Sequence, residues 1–139
     1  MAIPEYSVDQ LDLISVVGEF YKGLSEGDTE ALARLVEQRF ATDAVLSRPE
    51  SLPGGGDITG TRSITTFTRA AAGSVPISVE TLMSSETDDG AHIFVEVSIL
   101  IGRTPTRALE WWTFDGSQVS RLQAFYWDTA ALVSNARPN

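Results

Sequence analysis

The sequence predicts an α+β fold: helices first, then an antiparallel meander of strands. Three observations carry this. Apolar residues recur at helical spacing in the first third of the chain. Four later runs are rich in β-branched and aromatic residues. Tight-turn sequences or a short connection separate those runs. The 139 residues, 42% of them hydrophobic, suit one domain spanning 1–139 with a full core.

Ser7 and Gln10 form a capping box, and a helix should follow. Leu13, Val17, Phe20, Tyr21 and Leu24 make its apolar stripe, and Gly27 ends it. Asp28 caps a second helix carrying Leu32, Leu35 and Val36. The stretch "ATDAVLSRP" reads as a short strand. The loop "RPESLPGGGDITG" lacks the Gly-Lys-Ser/Thr of a phosphate cradle, so it is a rim over a cavity or a linker. A third helix starts near Thr61, with Ile64, Phe67 and Ala71 on one face. The strands are "ISVETLMSS", "AHIFVEVSILI", "TRALEWWTF" and "QVSRLQAFYW", with the turns "TDDG" and "FDGS" and the connection "GRTPT" between them.

The composition excludes several functions. There is no cysteine and only one histidine, His92, so cysteine or histidine-rich metal sites and thiolate chemistry are ruled out. A formal charge of −9 argues against nucleic acid and anionic membranes. No apolar run has the length of a spanning helix, and "MAIPEYSVDQ" shows no secretory pattern, so the expected location is the cytoplasm.

The order "FYKGLSEGDTEALARLV", "FATDAVLSRP", a glycine-containing loop, "ITTFTRAAA" and four strands resembles the nuclear transport factor 2-like superfamily, in particular its SnoaL-like and ketosteroid isomerase-like group. The resemblance implies a cone-shaped curved antiparallel sheet wrapped around N-terminal helices, with an apolar cavity and a homodimer formed through the sheet. It implies cofactor-free, metal-free proton-transfer chemistry (isomerisation, cyclisation or dehydration) on an apolar polycyclic or polyketide-like substrate. Its alternative is a non-catalytic module or dimeric scaffold holding an apolar ligand.

Matched position by position, the isomerase base falls on Arg48, which cannot act as a base at neutral pH. The oxyanion-donor tyrosine falls on Phe20, with Tyr21 about 100° further round the helix. The protonated acid of the penultimate strand falls on Glu110, which keeps its chemical type. The Asp-Arg-Asp set of the epoxide hydrolases is missing, and Gln123 stands where SnoaL-type cyclases carry an acid.

Alternation puts Glu110 on one strand face with Trp112 and Phe114. Buried there, it is neutral with a raised pKa, or paired with Arg48, Arg121 or His92; the remaining option is exposure at a sheet edge. His92, Phe94 and Glu96 share a face opposite Ile93, Val95, Val97 and Ile99. Either the aliphatic side is core, or His92 and Glu96 line the cavity. On the last strand Leu122, Ala124, Tyr126 and Asp128 take the cavity side by family match, leaving Phe125 and Trp127 outward for a partner to cover. Asp128 itself reads as a turn cap. The candidate catalytic groups are therefore Glu110, Tyr126, Arg48 and His92. The candidate substrate contacts are Phe20, Tyr21, Phe67, Phe94, Glu96, Trp112, Phe114, Leu122 and Ala124.

Overall fold

A computed structural model describes residues 6–52, 54–74, 76–101 and 104–136. The chain runs α1 (Val8–Glu26), α2 (Thr29–Arg39), β1 (Phe40–Arg48), β2 (Gly56–Thr59), α3 (Thr61–Ala71), β3 (Ile77–Thr87), β4 (Gly90–Ile101), β5 (Thr104–Asp115), β6 (Gln118–Tyr126) and α4 (Thr129–Ala136). The strands form one sheet in the order β2-β1-β6-β5-β4-β3.

α1 starts on the capping box read from the sequence: Gln10 N–H donates to Ser7 Oγ, and Ser7 N–H donates to Gln10 Oε1. It ends at Gly27, whose φ of 70° is a left-handed cap that glycine adopts without steric cost. Asp28 caps α2 by accepting from the N–H of Ala31. α1 and α2 approach closely because Gly23 has no side chain; a Cβ there would lie 2.8 Å from Leu32 Cγ. The Arg39–Asp12 ion pair ties the end of α2 back to α1.

β3 to β6 form the expected antiparallel meander. Two features depart from the reading of an all-antiparallel sheet. β1 pairs with β6 in parallel, through Leu46 beside Leu122, so the sheet is mixed. The glycine-rich loop also contains a strand, β2, paired antiparallel to β1. The helices cover one face of the sheet, and the core lies between them. Its centre is Phe20, Tyr21, Phe40 and Trp112, whose rings meet edge-on or stacked at 4.9–6.3 Å.

Candidate functional site

Period-two alternation in β5 points Ala108, Glu110 and Trp112 to the helix-covered face. Glu110 lies between Val95 of β4 and Ala124 of β6. Its carboxyl opens into a cavity of about 300 Å³. Phe20 and Leu24 of α1 form one side, and Phe67 and Ala71 of α3 another. The sheet supplies Leu46, Ile99, Leu122 and Ala124, while Leu52 and Leu132 come from the glycine-rich loop and α4. Three polar side chains stand in this apolar lining: Arg48, Glu110 and Tyr126.

Burial pushes the Glu110 carboxyl up to about 7, because the charged form loses its hydration. Two weaker effects oppose this: a hydrogen bond from Tyr21 and the positive charge of Arg48. The Tyr21 hydroxyl donates to Glu110 Oε1 at 3.0 Å and accepts from the Trp112 indole N–H at 3.1 Å. Tyr21 is itself held well above the ordinary tyrosine range, first by burial and then by the nearby carboxylate. The hydroxyl is thus engaged on both sides, and it fixes the rotamer of Glu110.

Arg48 places its guanidinium 5.0 Å from the centre of the Phe67 ring. It also donates to the Gly54 carbonyl at 3.4 Å. Burial and then Glu110 raise the pKa of the Tyr126 hydroxyl, and the nearby Arg48 lowers it. The cavity therefore presents a carboxyl on β5 beside a guanidinium from β1 and a phenolic hydroxyl from β6. In the folded sheet β6 lies between β1 and β5, which brings the three together.

Glu110, Arg48, Tyr126, Phe20, Phe67, Leu122 and Ala124 all line the cavity. Tyr21 joins the site, contrary to the argument from helical rotation. An apolar stripe is broad enough for neighbours 20 and 21 both to face inward, and it is Tyr21 that reaches the acid. Trp112 and Phe114 lie on the correct face but not in the lining; Trp112 is sealed beneath Phe20 and Phe40. Of the proposed partners for Glu110, Arg48 is the one near it. Arg121 instead donates to Ser47.

His92, Phe94 and Glu96 are placed on the opposite, outer face, so their assignment to the cavity is corrected. The helices cover the aliphatic side, burying Ile93, Val95 and Val97 completely. His92 accepts from the Trp111 indole N–H at 3.0 Å, and Glu96 pairs with Arg107 at 3.3 Å. Asp128 stands immediately before α4, where its carbonyl accepts from Leu132 N–H. The sequence reading missed Leu24, Leu46, Leu52, Ala71, Ile77, Ile99 and Leu132 as lining residues. Leu24 and Ile99 had a signal, since each sits on an apolar stripe. Leu132 had none, because no element was read beyond the turn at Asp128. Among the described residues no group of three or more acidic or histidine side chains is arranged to hold a metal ion. Nor is any helix long and apolar enough to cross a membrane.

No protein-family model and no curated protein matches the chain. Solved structures do. Bal32a, from a soil-derived mobile gene cassette, is 17% identical with a TM-score of 0.72, over 93% of this chain and 99% of that one. A provisionally assigned ketosteroid isomerase from Kribbella flavida is 19% identical with a TM-score of 0.68, over 85% and 79%. A provisionally assigned SnoaL-like polyketide cyclase from Jannaschia is 10% identical with a TM-score of 0.67, over 99% and 100%. An NTF2-like protein of unknown function from Cytophaga hutchinsonii is also similar, at 11% identity and a TM-score of 0.64, over 91% and 96%. Helices and curved mixed sheet together give this chain the NTF2-like fold.

Proposed function

We propose that this protein catalyses cofactor-free proton transfer on an apolar small molecule, with Glu110 as the proton-exchanging group. The observation that carries the reading is the Glu110 carboxyl, held by Tyr21, facing an apolar cavity and titrating at about 7. A group titrating near the working pH is both a competent acid and a competent base. Ionised, Glu110 takes a proton from carbon next to a carbonyl. Protonated, it returns that proton to another carbon or to a leaving oxygen. Arg48 and Tyr126, both in the cavity lining, hold the substrate oxygen on which negative charge develops. This division of labour makes Arg48 the electrophilic group rather than the base.

The volume of about 300 Å³ lies at the small end of ligand sites. At about 30 Å³ per water-sized group it holds on the order of ten such groups, which favours a one- or two-ring substrate over a larger polycycle. The test is deuterium incorporation from D2O into a panel of one- and two-ring ketones, followed by NMR. The wild-type protein accelerates exchange into at least one member, and Glu110→Gln lowers that rate by about 10²- to 10⁴-fold. Equal rates for the two proteins overturn the assignment.

The rival reading is a binding module, and Arg48 at the position of the isomerase base favours it. It expects a ligand to bind with no exchange, and Glu110→Gln to change nothing catalytic. We also propose that a second copy of the chain covers the outer sheet face. That face exposes Met83, Leu109, Phe125 and Trp127 around the Arg107–Glu96 pair. Sedimentation of the wild type as a dimer, and of a Leu109→Asp/Phe125→Asp double variant as a folded monomer, is the expected result.

A further inference from the structure

Glu110 and Trp112 are two residues apart on β5, so their side chains leave the same face of the sheet about 7 Å apart along the strand. The hydroxyl of Tyr21, from α1, stands between them, 3.0 Å from Glu110 Oε1 and 3.1 Å from Trp112 Nε1. We infer that Trp112 is a positioning residue: its indole N–H sets the direction of the Tyr21 hydroxyl and so confines the exchangeable proton of Glu110 to Oε2. The inference rests on the proposed role of Glu110 and deepens it, but it concerns which atom carries the proton rather than which molecule receives it.

The polarity follows from donors and acceptors. An indole nitrogen donates and cannot accept, so Trp112 is the donor to the Tyr21 oxygen at every pH. Trp112 is fully buried and Tyr21 is 5% exposed, so water is not an available partner for either. The Tyr21 hydroxyl must therefore place its own hydrogen on a protein acceptor. Among the described residues that acceptor is Glu110 Oε1. A protonated acid donating from Oε1 would leave the Tyr21 hydrogen buried and unsatisfied, with the full desolvation penalty of that group. Oε1 thus accepts in both protonation states. The titrating proton goes to Oε2, the oxygen left to the cavity. In abstraction the Oε2–H bond forms, and the electron pair of the broken C–H bond stays on the substrate. In return the Oε2–H bond breaks, and Oε1 takes no part in either step.

The indole is held in this orientation by rings. Phe20 meets it edge-on at 4.9 Å and Phe40 at 6.0 Å, and Phe114 stacks on it at 6.4 Å. Its N–H also opposes the upward push of burial on Tyr21, which makes the hydroxyl a better donor. A better donor strengthens the bond to a carboxylate more than the bond to a neutral acid. Trp112 therefore favours the ionised form of Glu110, although its hydrogen bond goes to Tyr21 and not to the carboxyl. The other ionisable groups facing Glu110 are Arg48 of β1 and Tyr126 of β6, while β4 and α3 present Val95 and Phe67.

The test is titration of the Glu110 carboxyl by carbon-13 NMR. Site-specific replacement of Trp112 by benzothienylalanine keeps the bicyclic shape and puts sulfur in place of the N–H. It should raise the carboxyl midpoint above the wild-type value of about 7. Trp112→Phe should act in the same direction. In a Tyr21→Phe background neither replacement moves the midpoint further, because the hydroxyl that transmits the effect is gone. The wild type supplies a second readout with the core intact, nitrogen-15 NMR of the indole N–H groups. The Trp112 signal should shift with the carboxyl midpoint, the signal of exposed Trp127 should not, and Glu110→Gln should abolish the shift. A carboxyl midpoint indifferent to the sulfur isostere overturns the inference. So does a shift that persists in the Tyr21→Phe background, or a Trp112 indole signal that stays flat from pH 5 to pH 9. Titration as expected with no exchange into any ketone defeats the proposed reaction alone. Exchange that needs Glu110, with a carboxyl titration indifferent to Trp112, defeats this inference alone.

Discussion

The two faces of the sheet carry the same kind of arrangement in opposite settings. Trp111 and Trp112 are neighbours on β5 and point to opposite sides. On the inner face the Trp112 indole donates to Tyr21, which donates to Glu110. On the outer face the Trp111 indole donates to His92, whose other ring nitrogen lies 3.3 Å from Thr87 Oγ1. Each tryptophan thus anchors a short polar chain ending near a titratable group. Cover is what differs. α1 seals Trp112 and leaves Glu110 facing a cavity, whereas none of the described helices covers the aromatic outer face formed by Phe94, Trp111 and Phe125. The comparison teaches that chemistry follows from enclosure, not from the residue set: the acid loses its water on one side, and the histidine remains within reach of solvent on the other.

The comparison breaks most visibly at the tryptophans. Trp112→Ala removes the centre of the core, and urea unfolding should show a loss of about 3–5 kcal/mol. Trp111→Ala gives up one indole hydrogen bond on a half-buried face and should cost about 1 kcal/mol. Equal losses would mean that the outer face is as enclosed as the inner one.

The next effect is in pH. The folded-state pKa of Glu110 is raised from 4.5 to about 7, so between these values the folded protein binds more protons than the unfolded chain. Its stability therefore falls as pH rises through that window, by about 3 kcal/mol in total, and is flat in this respect below 4.5 and above 7. Glu110→Gln removes the dependence, and should be more stable than the wild type at pH 8 while being slower in the exchange assay. Denaturation at pH 5 and pH 8 checks both halves. Glu96→Gln on the outer face should leave exchange unchanged.

The smallest effect separates the two polar chains. The Tyr21 hydrogen bond lowers the Glu110 pKa, so Tyr21→Phe should move the carboxyl titration further up, as followed by carbon-13 NMR of the glutamate side chains. Thr87→Val, beside His92 on an exposed hairpin, should change stability by no more than about 0.5 kcal/mol.

Much of the fold could be read locally. Ser7, Gln10, Gly27 and Asp28 act within a few residues of themselves, and each does what its chemistry dictates. The meander was legible because its connections are short. β2 was not, since four residues in a glycine-rich loop become a strand only by pairing with β1. The parallel β1–β6 contact has no local signature at all. At the site, alternation grouped Glu110 with Trp112 and Tyr126 with Ala124 correctly. It could not decide between Ile93 and His92 as the covered side, because a period of two names two faces and not which one the helices sit on. Nor could spacing settle Tyr21 against Phe20, which depends on how α1 is rolled against the sheet.

That parallel contact also governs when the site can exist. Leu46 sits beside Leu122, more than half the chain away, and Arg48 and Tyr126 follow on those same two strands. Loop closure over such a separation is slow compared with hairpin formation. During synthesis the meander can zip up strand by strand, yet the guanidinium reaches the carboxyl only after β6 has emerged and docked. Binding competence should therefore arrive last in refolding, as a single late step, well after most of the sheet has formed.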